Sequence, residues 1–190
     1  MFFISGFSAI FYQIAWQRLL FESFGVDIES VTIIVSAFMA GLGLGALFGG
    51  EIADRYPTRL IFYFCILELI IGLYGLISYE LFKISGDFFV SSSKLTVAMI
   101  NFILVFIPTT AMGATLPILI IFIANKVKNV GNATGTLYAI NTLGASLGCI
   151  ISGFIIFNFL DLKQAILLAA CLNFFVSAFV YLKLHKKNYF

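Results

Sequence analysis

Six long runs of apolar residues divide the chain, and short polar stretches separate them. The runs cover residues 3–24, 30–53, 60–82, 95–124, 133–158 and 163–183. Each is long enough to cross a hydrocarbon core of about 30 Å, because a helix rises about 1.5 Å per residue. The pattern therefore predicts an all-α integral membrane protein with six transmembrane helices in one domain, residues 1–190.

Composition supports a lipid bilayer as the surroundings of these helices. Hydrophobic residues make up 62% of the chain and charged residues 11%, whereas about a quarter of the residues of a soluble domain are charged. The net charge of +2 is too small to indicate nucleic-acid binding. The sequence has no histidine pair to bind a metal and no nucleotide-binding glycine loop outside a membrane span. We therefore expect neither a soluble enzyme nor a bound cofactor or metal.

Basic residues are distributed unequally between the two sides of the predicted bundle. With six spans, both termini share a side with the loops after the second and fourth helices, and seven basic residues lie there: Arg55, Arg59, Lys126, Lys128, Lys183, Lys186 and Lys187. The other side has Lys83, Lys94 and Lys163, with Arg18 just inside the end of the first helix. Because cytoplasmic loops carry an excess of Lys and Arg, we predict that both termini are cytoplasmic and that the membrane is the cytoplasmic (inner) one.

Glycines form a weak internal repeat with an offset of 103 residues. The aligned sets are Gly41, Gly45, Gly49 and Gly50 in the second helix and Gly144, Gly148, Ser152 and Gly153 in the fifth. Since each unit has three helices, the units, approximately 1–93 and 94–190, must have opposite orientations in the membrane. Inverted three-helix repeats are typical of secondary transporters. The alternative is that small residues recur by chance in membrane helices, where they serve close helix packing.

Glu68 is the most informative polar residue, because it lies deep in the third apolar run. An ionised carboxylate at this depth is costly unless it contacts a partner or water. Gly72 and Gly75 share its helix face, which indicates that Glu68 points into the protein. One hypothesis is that Glu68 binds a cationic group or carries a coupled proton. The other is that it is a hydrogen-bonded carboxyl group that only fixes helix packing.

Further polar and aromatic residues are candidates for a binding site. Three amides are expected at a similar depth to Glu68: Gln13, Asn141 and Asn173. Each alone is better explained by hydrogen bonds between helices. Tyr12 and Trp16 could hold an organic cation through their rings. Arg18 could pair with Glu22 or extend to the membrane interface.

The fourth apolar run contains two prolines and several hydroxyl groups near the middle of the membrane. Pro108 and Pro117 remove backbone donors, so hydroxyl groups such as that of Thr115 or water must satisfy the freed carbonyls. The sequence therefore predicts a bent or interrupted helix, which is where transporters often place their sites.

Residues 50–59 resemble the signature loop between the second and third helices of the major facilitator superfamily. The similarity rests on Gly50, Ala53, Asp54, Arg55 and Arg59, while the second glycine and one basic residue of the signature are missing. In that family this loop helps to lock one conformation. The resemblance implies a gating role for Gly50, Asp54, Arg55 and Arg59.

A second resemblance extends over nearly the whole chain. It is carried by Ser5-Gly6, by Tyr12, Gln13, Trp16 and Arg18, by residues 112–117 and by Tyr138, Ala139, Asn141, Thr142, Gly144, Ala145 and Gly148. These pieces resemble the membrane region of the fused major facilitator/spermidine synthase family. Members of that family continue into an aminopropyltransferase-like domain. Because this sequence ends at Phe190 after a short basic tail, we expect such an activity to require a separate polypeptide.

Two functional hypotheses follow from the sequence. In the first, the chain is a half-sized transporter subunit that pairs with a second copy or with another six-helix half, and the resemblance suggests polyamines or other small organic cations as substrates. In the second, the chain is a membrane anchor or regulatory module for a soluble aminopropyltransferase. The first requires Glu68 and Asn141, whereas the second does not.

Overall fold

The computed structural model describes residues 1–24, 27–89 and 93–185, and these residues are almost entirely helical. The long helices are α1 (Phe2–Phe24), α2 (Asp27–Arg55), α3 (Leu60–Phe89), α4 (Lys94–Val127) and α5 (Val130–Ile151). A π-helical turn (Ser152–Ile156) and the short α6 (Phe157–Phe159) extend α5, and the long α7 (Leu162–His185) completes the order. Each predicted apolar run therefore corresponds to one helix. Lys186 and Lys187, which belong to the predicted cytoplasmic side, lie outside the described residues.

Five of these helices are long and apolar enough to cross a membrane. Their apolar stretches are Ile28–Arg55, Leu60–Asp87, Lys94–Val127, Val130–Phe159 and Leu162–Lys183. Helix α1 is not among them, since Gln13, Gln17 and Arg18 lower the mean hydropathy of its sequence. The fold is thus a multi-pass helical membrane protein with five such spans in its described residues.

Close helix contacts form where glycines remove the side chain. Helix α2 packs against α4, and α1 packs against α5. A Cβ atom added at Gly45 would overlap the carbonyl of Thr110, and one added at Gly144 would overlap the carbonyl of Phe3. The backbones approach closely at these points because no side chain separates them.

Two ion pairs connect helix ends at one side of the bundle. Lys94 at the start of α4 lies 3.3 Å from Glu29 near the start of α2, and Lys163 at the start of α7 lies 2.6 Å from Glu80 in the second half of α3. Helices α2 and α4 start at this side, and α3, which lies between them in the sequence, ends there. The chain therefore runs up and down through the bundle. Both pairs are exposed, so solvent screens them and they add little to stability.

An aromatic cluster around Trp16 fills the half of the bundle near this side. Trp16 is fully buried, stacks on Tyr12 at a ring distance of 5.0 Å and contacts Phe38, Tyr74 and Phe82. Its Nε1–H donates to Ser78 Oγ at 3.0 Å, so the buried indole donor is satisfied. Helices α1, α2 and α3 are held together by this cluster.

Candidate functional site

The carboxyl group of Glu68 connects three helices through two short hydrogen bonds. Ser5 Oγ of α1 donates to Glu68 Oε1 at 2.6 Å, and Asn173 Nδ2 of α7 donates to Glu68 Oε2 at 2.7 Å. Glu68 itself is 0% exposed. Both carboxyl oxygens therefore accept a hydrogen bond from another helix, and we call this arrangement the Glu68 junction.

Glycines on the same face of α3 let the neighbouring helices reach the Glu68 junction. A Cβ atom at Gly72 would lie 2.8 Å from the ring of Phe174 in α7. A Cβ atom at Gly75 would overlap the hydroxyl group of Tyr12 in α1. The inward orientation of Glu68 thus follows from the small residues one and two turns along its helix.

The charge of Glu68 is not neutralised by an ion pair. Within the described residues, no Lys or Arg side chain forms a salt bridge with it, and the ion pairs there are the exposed Lys94–Glu29 and Lys163–Glu80. Two hydrogen bonds compensate only part of the cost of burying a carboxylate. The junction is therefore a place where a proton or a cation would relieve a large electrostatic penalty.

A cavity of about 130 Å³ lies beside the Glu68 junction. All six long helices contribute to its lining, which makes it the meeting point of the bundle. The polar lining consists of Ser5, Ser8, Thr115, Asn141 and Asn173, and the apolar part includes Phe2, Leu42, Ile71 and Met112. Ser5 and Asn173 both line the cavity and bond to Glu68, so they connect the two features.

The structure brings together some of the residues that the sequence singled out. Thr115, Asn141 and Asn173 line the cavity, and Glu68 lies behind Ser5 and Asn173. Gln13 is half-buried and does not line the cavity.

The aromatic and basic candidates of α1 lie away from the cavity. Tyr12 and Trp16 belong to the buried aromatic cluster. Arg18 is exposed, its guanidinium lies 4.1 Å from the ring centre of Phe157, and no ion pair joins it to Glu22 in the described chain.

Helix α4 is continuous through both of its prolines. It is helical from Lys94 to Val127, so of the two predicted forms, bent or interrupted, the interrupted one is not formed. Pro108 cannot donate to the carbonyl of Leu104, and the hydroxyl group of Tyr74 in α3 donates to that carbonyl at 2.5 Å instead. A neighbouring helix thus satisfies the freed carbonyl, and α4 continues.

Ser5 and Ser8 are site residues that sequence reasoning did not select. Ser5 is separated from Glu68 by 63 residues, and helical periodicity carries no information about a pair so distant. The available signal was their position on α1, where both hydroxyl groups fall among apolar residues one turn apart.

The segment that resembles a gating loop lies at the other end of the bundle from Lys94 and Lys163. Asp54, Arg55 and Arg59 are exposed, and Arg55 ends α2 with its guanidinium 5.8 Å from the ring centre of Tyr56. A Cβ atom at Gly50 would meet open space. None of the four lines the cavity.

Comparison with known families decides the broad class of this protein. The model that describes the Major Facilitator Superfamily matches residues 1–189. The chain belongs to the Major Facilitator Superfamily. This membership confirms the predicted resemblance to that superfamily and supports a transporter in preference to an enzyme.

The chain is also similar to a polyamine aminopropyltransferase from Corynebacterium efficiens. The two sequences are 27% identical over 185 residues, which is 93% of this chain and 33% of that protein. The chain therefore spans about a third of the length of this relative. No solved structure matches the chain.

Proposed function

We propose that this chain is a subunit of a major facilitator-type transporter for polyamines or other small organic cations. The observation that carries the proposal is the Glu68 junction beside a cavity lined by all six long helices. A buried carboxylate with unneutralised charge favours a positively charged ligand. Small, partly polar cavities between membrane helices are where secondary transporters hold their substrates.

In this proposal α1 is a sixth transmembrane helix. It packs against α2, α3, α5 and α7, so it has the neighbours of a central helix in the bundle. Its Trp16 is fully buried, and Ser5 bonds to Glu68 deep in α3. One of the polar residues that lower its hydropathy is Arg18. It lies near one end of the bundle, with its guanidinium against the ring of Phe157.

The packing pattern supports two inverted repeats. With the offset of 103 residues, Gly41 corresponds to Gly144 and Phe106 to Phe3. A Cβ atom at Gly41 would lie 3.1 Å from the carbonyl oxygen of Phe106, and one at Gly144 would overlap the carbonyl oxygen of Phe3. Corresponding glycines thus face corresponding carbonyl groups.

A second pair of glycines shows the same correspondence. A Cβ atom at Gly45 would overlap the carbonyl of Thr110, and one at Gly148 would lie 2.9 Å from the carbonyl oxygen of Phe7. Thr110 and Phe7 are related by the same offset. Equivalent helix pairs, α2 with α4 and α5 with α1, therefore use equivalent contacts.

Six helices form half of the twelve-helix plan of major facilitators. We propose that a homodimer, or a pair with another six-helix half, encloses the transport path in the cytoplasmic membrane, and that the cavity beside Glu68 opens into this path. The exposed segment with Asp54, Arg55 and Arg59 would then lock one conformation through contacts with the partner half. Gly50 would allow close approach there, since nothing lies within 4 Å of an added Cβ atom.

The direct test of this function is uptake of labelled 1,4-diaminobutane into liposomes that contain the purified chain. We expect uptake that saturates, depends on an inside-negative potential and is absent from protein-free liposomes. Absence of flux for 1,4-diaminobutane and for spermidine would remove the proposed substrates.

A second function is favoured by one specific observation, the similarity to a polyamine aminopropyltransferase. In this alternative the chain anchors or regulates a soluble aminopropyltransferase at the membrane. Purification of the tagged chain from its native membrane would then recover aminopropyltransferase activity. The alternative further requires that variants of Glu68 and Asn141 behave as the unmodified protein does.

Both termini are proposed to be cytoplasmic, and single introduced cysteines test this orientation. In a variant with Cys65, Cys149 and Cys171 replaced by alanine, Thr58→Cys and Asp161→Cys each place one thiol in an exposed loop. We expect a membrane-impermeant maleimide to label the Asp161→Cys variant in intact cells and the Thr58→Cys variant only after the cells are opened. The reverse labelling pattern would contradict the orientation.

A further inference from the structure

Each hydroxyl group that lines the cavity donates its hydrogen to an acceptor of the protein. Ser8 Oγ donates to the carbonyl of Ser5 at 2.9 Å, and Thr115 Oγ1 donates to the carbonyl of Met112 at 2.7 Å. Ser5 Oγ donates to Glu68. Since a hydroxyl group has only one hydrogen, all three oxygens have only lone pairs left for a ligand.

Asn173 adds a fourth acceptor to this lining. Its Nδ2 donates to Glu68 Oε2 at 2.7 Å, and its Oδ1 has no hydrogen-bond partner in the described part of the chain. The structure places the NH₂ group of Asn173 toward Glu68 and its oxygen away, which is the orientation that an ionised carboxylate, an acceptor only, requires. Asn173 is 1% exposed, so its unpaired oxygen is a buried acceptor that requires a donor.

We propose that this cavity binds the primary ammonium group of an alkylamine, with Ser5, Ser8, Thr115 and Asn173 as acceptors for its N–H bonds. The inference rests on the proposed function and specifies which chemical group of the substrate this site reads. Glu68 accepts the hydrogen bonds that Ser5 and Asn173 donate. Its charge therefore acts on the ligand through these two side chains, whose acceptor atoms remain available. These four acceptors offer no donor to an anion, and quaternary ammonium ions have no N–H bond to offer them.

The size and the apolar part of the cavity favour an alkylamine over a metal ion. A water molecule requires at least about 10–15 Å³ measured in the same way, so a cavity of about 130 Å³ exceeds the needs of a single sodium ion. Phe2, Leu42, Ile71 and Met112 belong to the apolar part of the lining and would contact methylene groups. The cavity would thus hold the ammonium end and the first carbons of a longer amine.

A matched set of three ligands tests the proposal on the full chain in lipid nanodiscs by calorimetric titration. The ligands are n-butylammonium, butyltrimethylammonium and butyrate, in a buffer of low ionic strength that contains sucrose and no other organic cation. We expect n-butylammonium to bind at least about tenfold more tightly than the other two, since an unpaired buried acceptor is penalised. Equal binding of the two cations, preference for butyrate, or competition by sodium at equal concentration would overturn the proposal.

Two amide substitutions provide the variant arm of this experiment. Asn173→Leu removes the acceptor and should weaken n-butylammonium binding at least about tenfold. Asn101→Leu is its control, because Asn101 is 0% exposed, has an unpaired Oδ1 and lies outside the cavity lining. Equal loss in both variants, or in neither, would contradict the assignment.

Thr115→Val keeps the test decisive if Asn173→Leu does not fold. The Thr115 hydroxyl bonds only within its own helix, so valine should preserve the fold. We expect weaker binding of n-butylammonium and unchanged binding of butyltrimethylammonium, and an unchanged ratio would overturn the proposal. Selective binding without any flux of 1,4-diaminobutane would remove the transport function alone, whereas flux without preference for N–H donors would remove this inference alone.

Discussion

Replacing Gly45 by valine is expected to prevent α2 and α4 from packing, whereas Gly43→Val, two residues away, should be tolerated. A Cβ atom at Gly45 would overlap the carbonyl of Thr110 and lie 2.9 Å from Cα of Gly113. Backbone atoms cannot move aside without separating the helices, and overpacking of this kind costs about 1–3 kcal/mol or more. Nothing lies within 4 Å of a Cβ atom at Gly43.

The comparison of these two variants isolates packing from helix propensity. Both replace glycine by valine within α2, so the propensity term is the same in each. Thermal unfolding in detergent, followed by size-exclusion chromatography, should show a lower midpoint and aggregation for Gly45→Val only. Equal midpoints would show that the α2–α4 contact does not limit stability.

Glu68→Gln is expected to reduce the initial rate of 1,4-diaminobutane uptake at least about tenfold. The substitution keeps the size of the side chain but removes the charge and introduces an NH₂ group. If that group faces Asn173, the Asn173 amide must turn its oxygen toward it, and its own NH₂ group then faces the cavity. The cavity would lose an acceptor and gain a donor.

Glu80→Gln is the matched control for this loss of uptake. Glu80 lies on the same helix, but its side chain is 51% exposed and pairs with Lys163 at 2.6 Å. Because this pair is exposed to solvent and lies outside the cavity lining, we expect uptake close to that of the unmodified protein. Full activity of Glu68→Gln in the same assay would remove Glu68 from the transport mechanism.

The length of each apolar run predicted the helices well, because each segment must by itself be long and apolar enough to cross the membrane. The fourth run was predicted to cover 95–124, and α4 covers Lys94–Val127. The sequence also indicated that a hydroxyl group or water would satisfy the carbonyl that Pro108 frees, but it did not identify which one. The carbonyl that Pro108 frees is satisfied by Tyr74, and only the packed structure shows that α3 supplies this hydroxyl group.

Depth in the membrane and helix face predicted several residues of the candidate site, but not which residues contact one another. Depth selected Glu68 and Asn173, which bond to each other across 105 residues of sequence. It also selected Gln13, which does not line the cavity. Depth and helix face say nothing about how each helix is rotated relative to its neighbours, so the bond between Ser5 and Glu68 was found only in the structure.

The central claim is that the cavity beside Glu68 belongs to a transport path, and accessibility of a cysteine in that cavity tests it most directly. Ser8→Cys in the variant without native cysteines places a thiol of similar size in the lining. Ser177→Cys is the control, since Ser177 is buried but outside the lining.

The account predicts that a small membrane-impermeant thiosulfonate, added to either side of sealed liposomes of known orientation, modifies the Ser8→Cys variant and leaves the Ser177→Cys variant unmodified. Saturating 1,4-diaminobutane should slow the modification of the Ser8→Cys thiol from both sides. A folded protein in which this thiol reacts from one side only, or from neither, would contradict the claim that the cavity belongs to a transport path across the membrane.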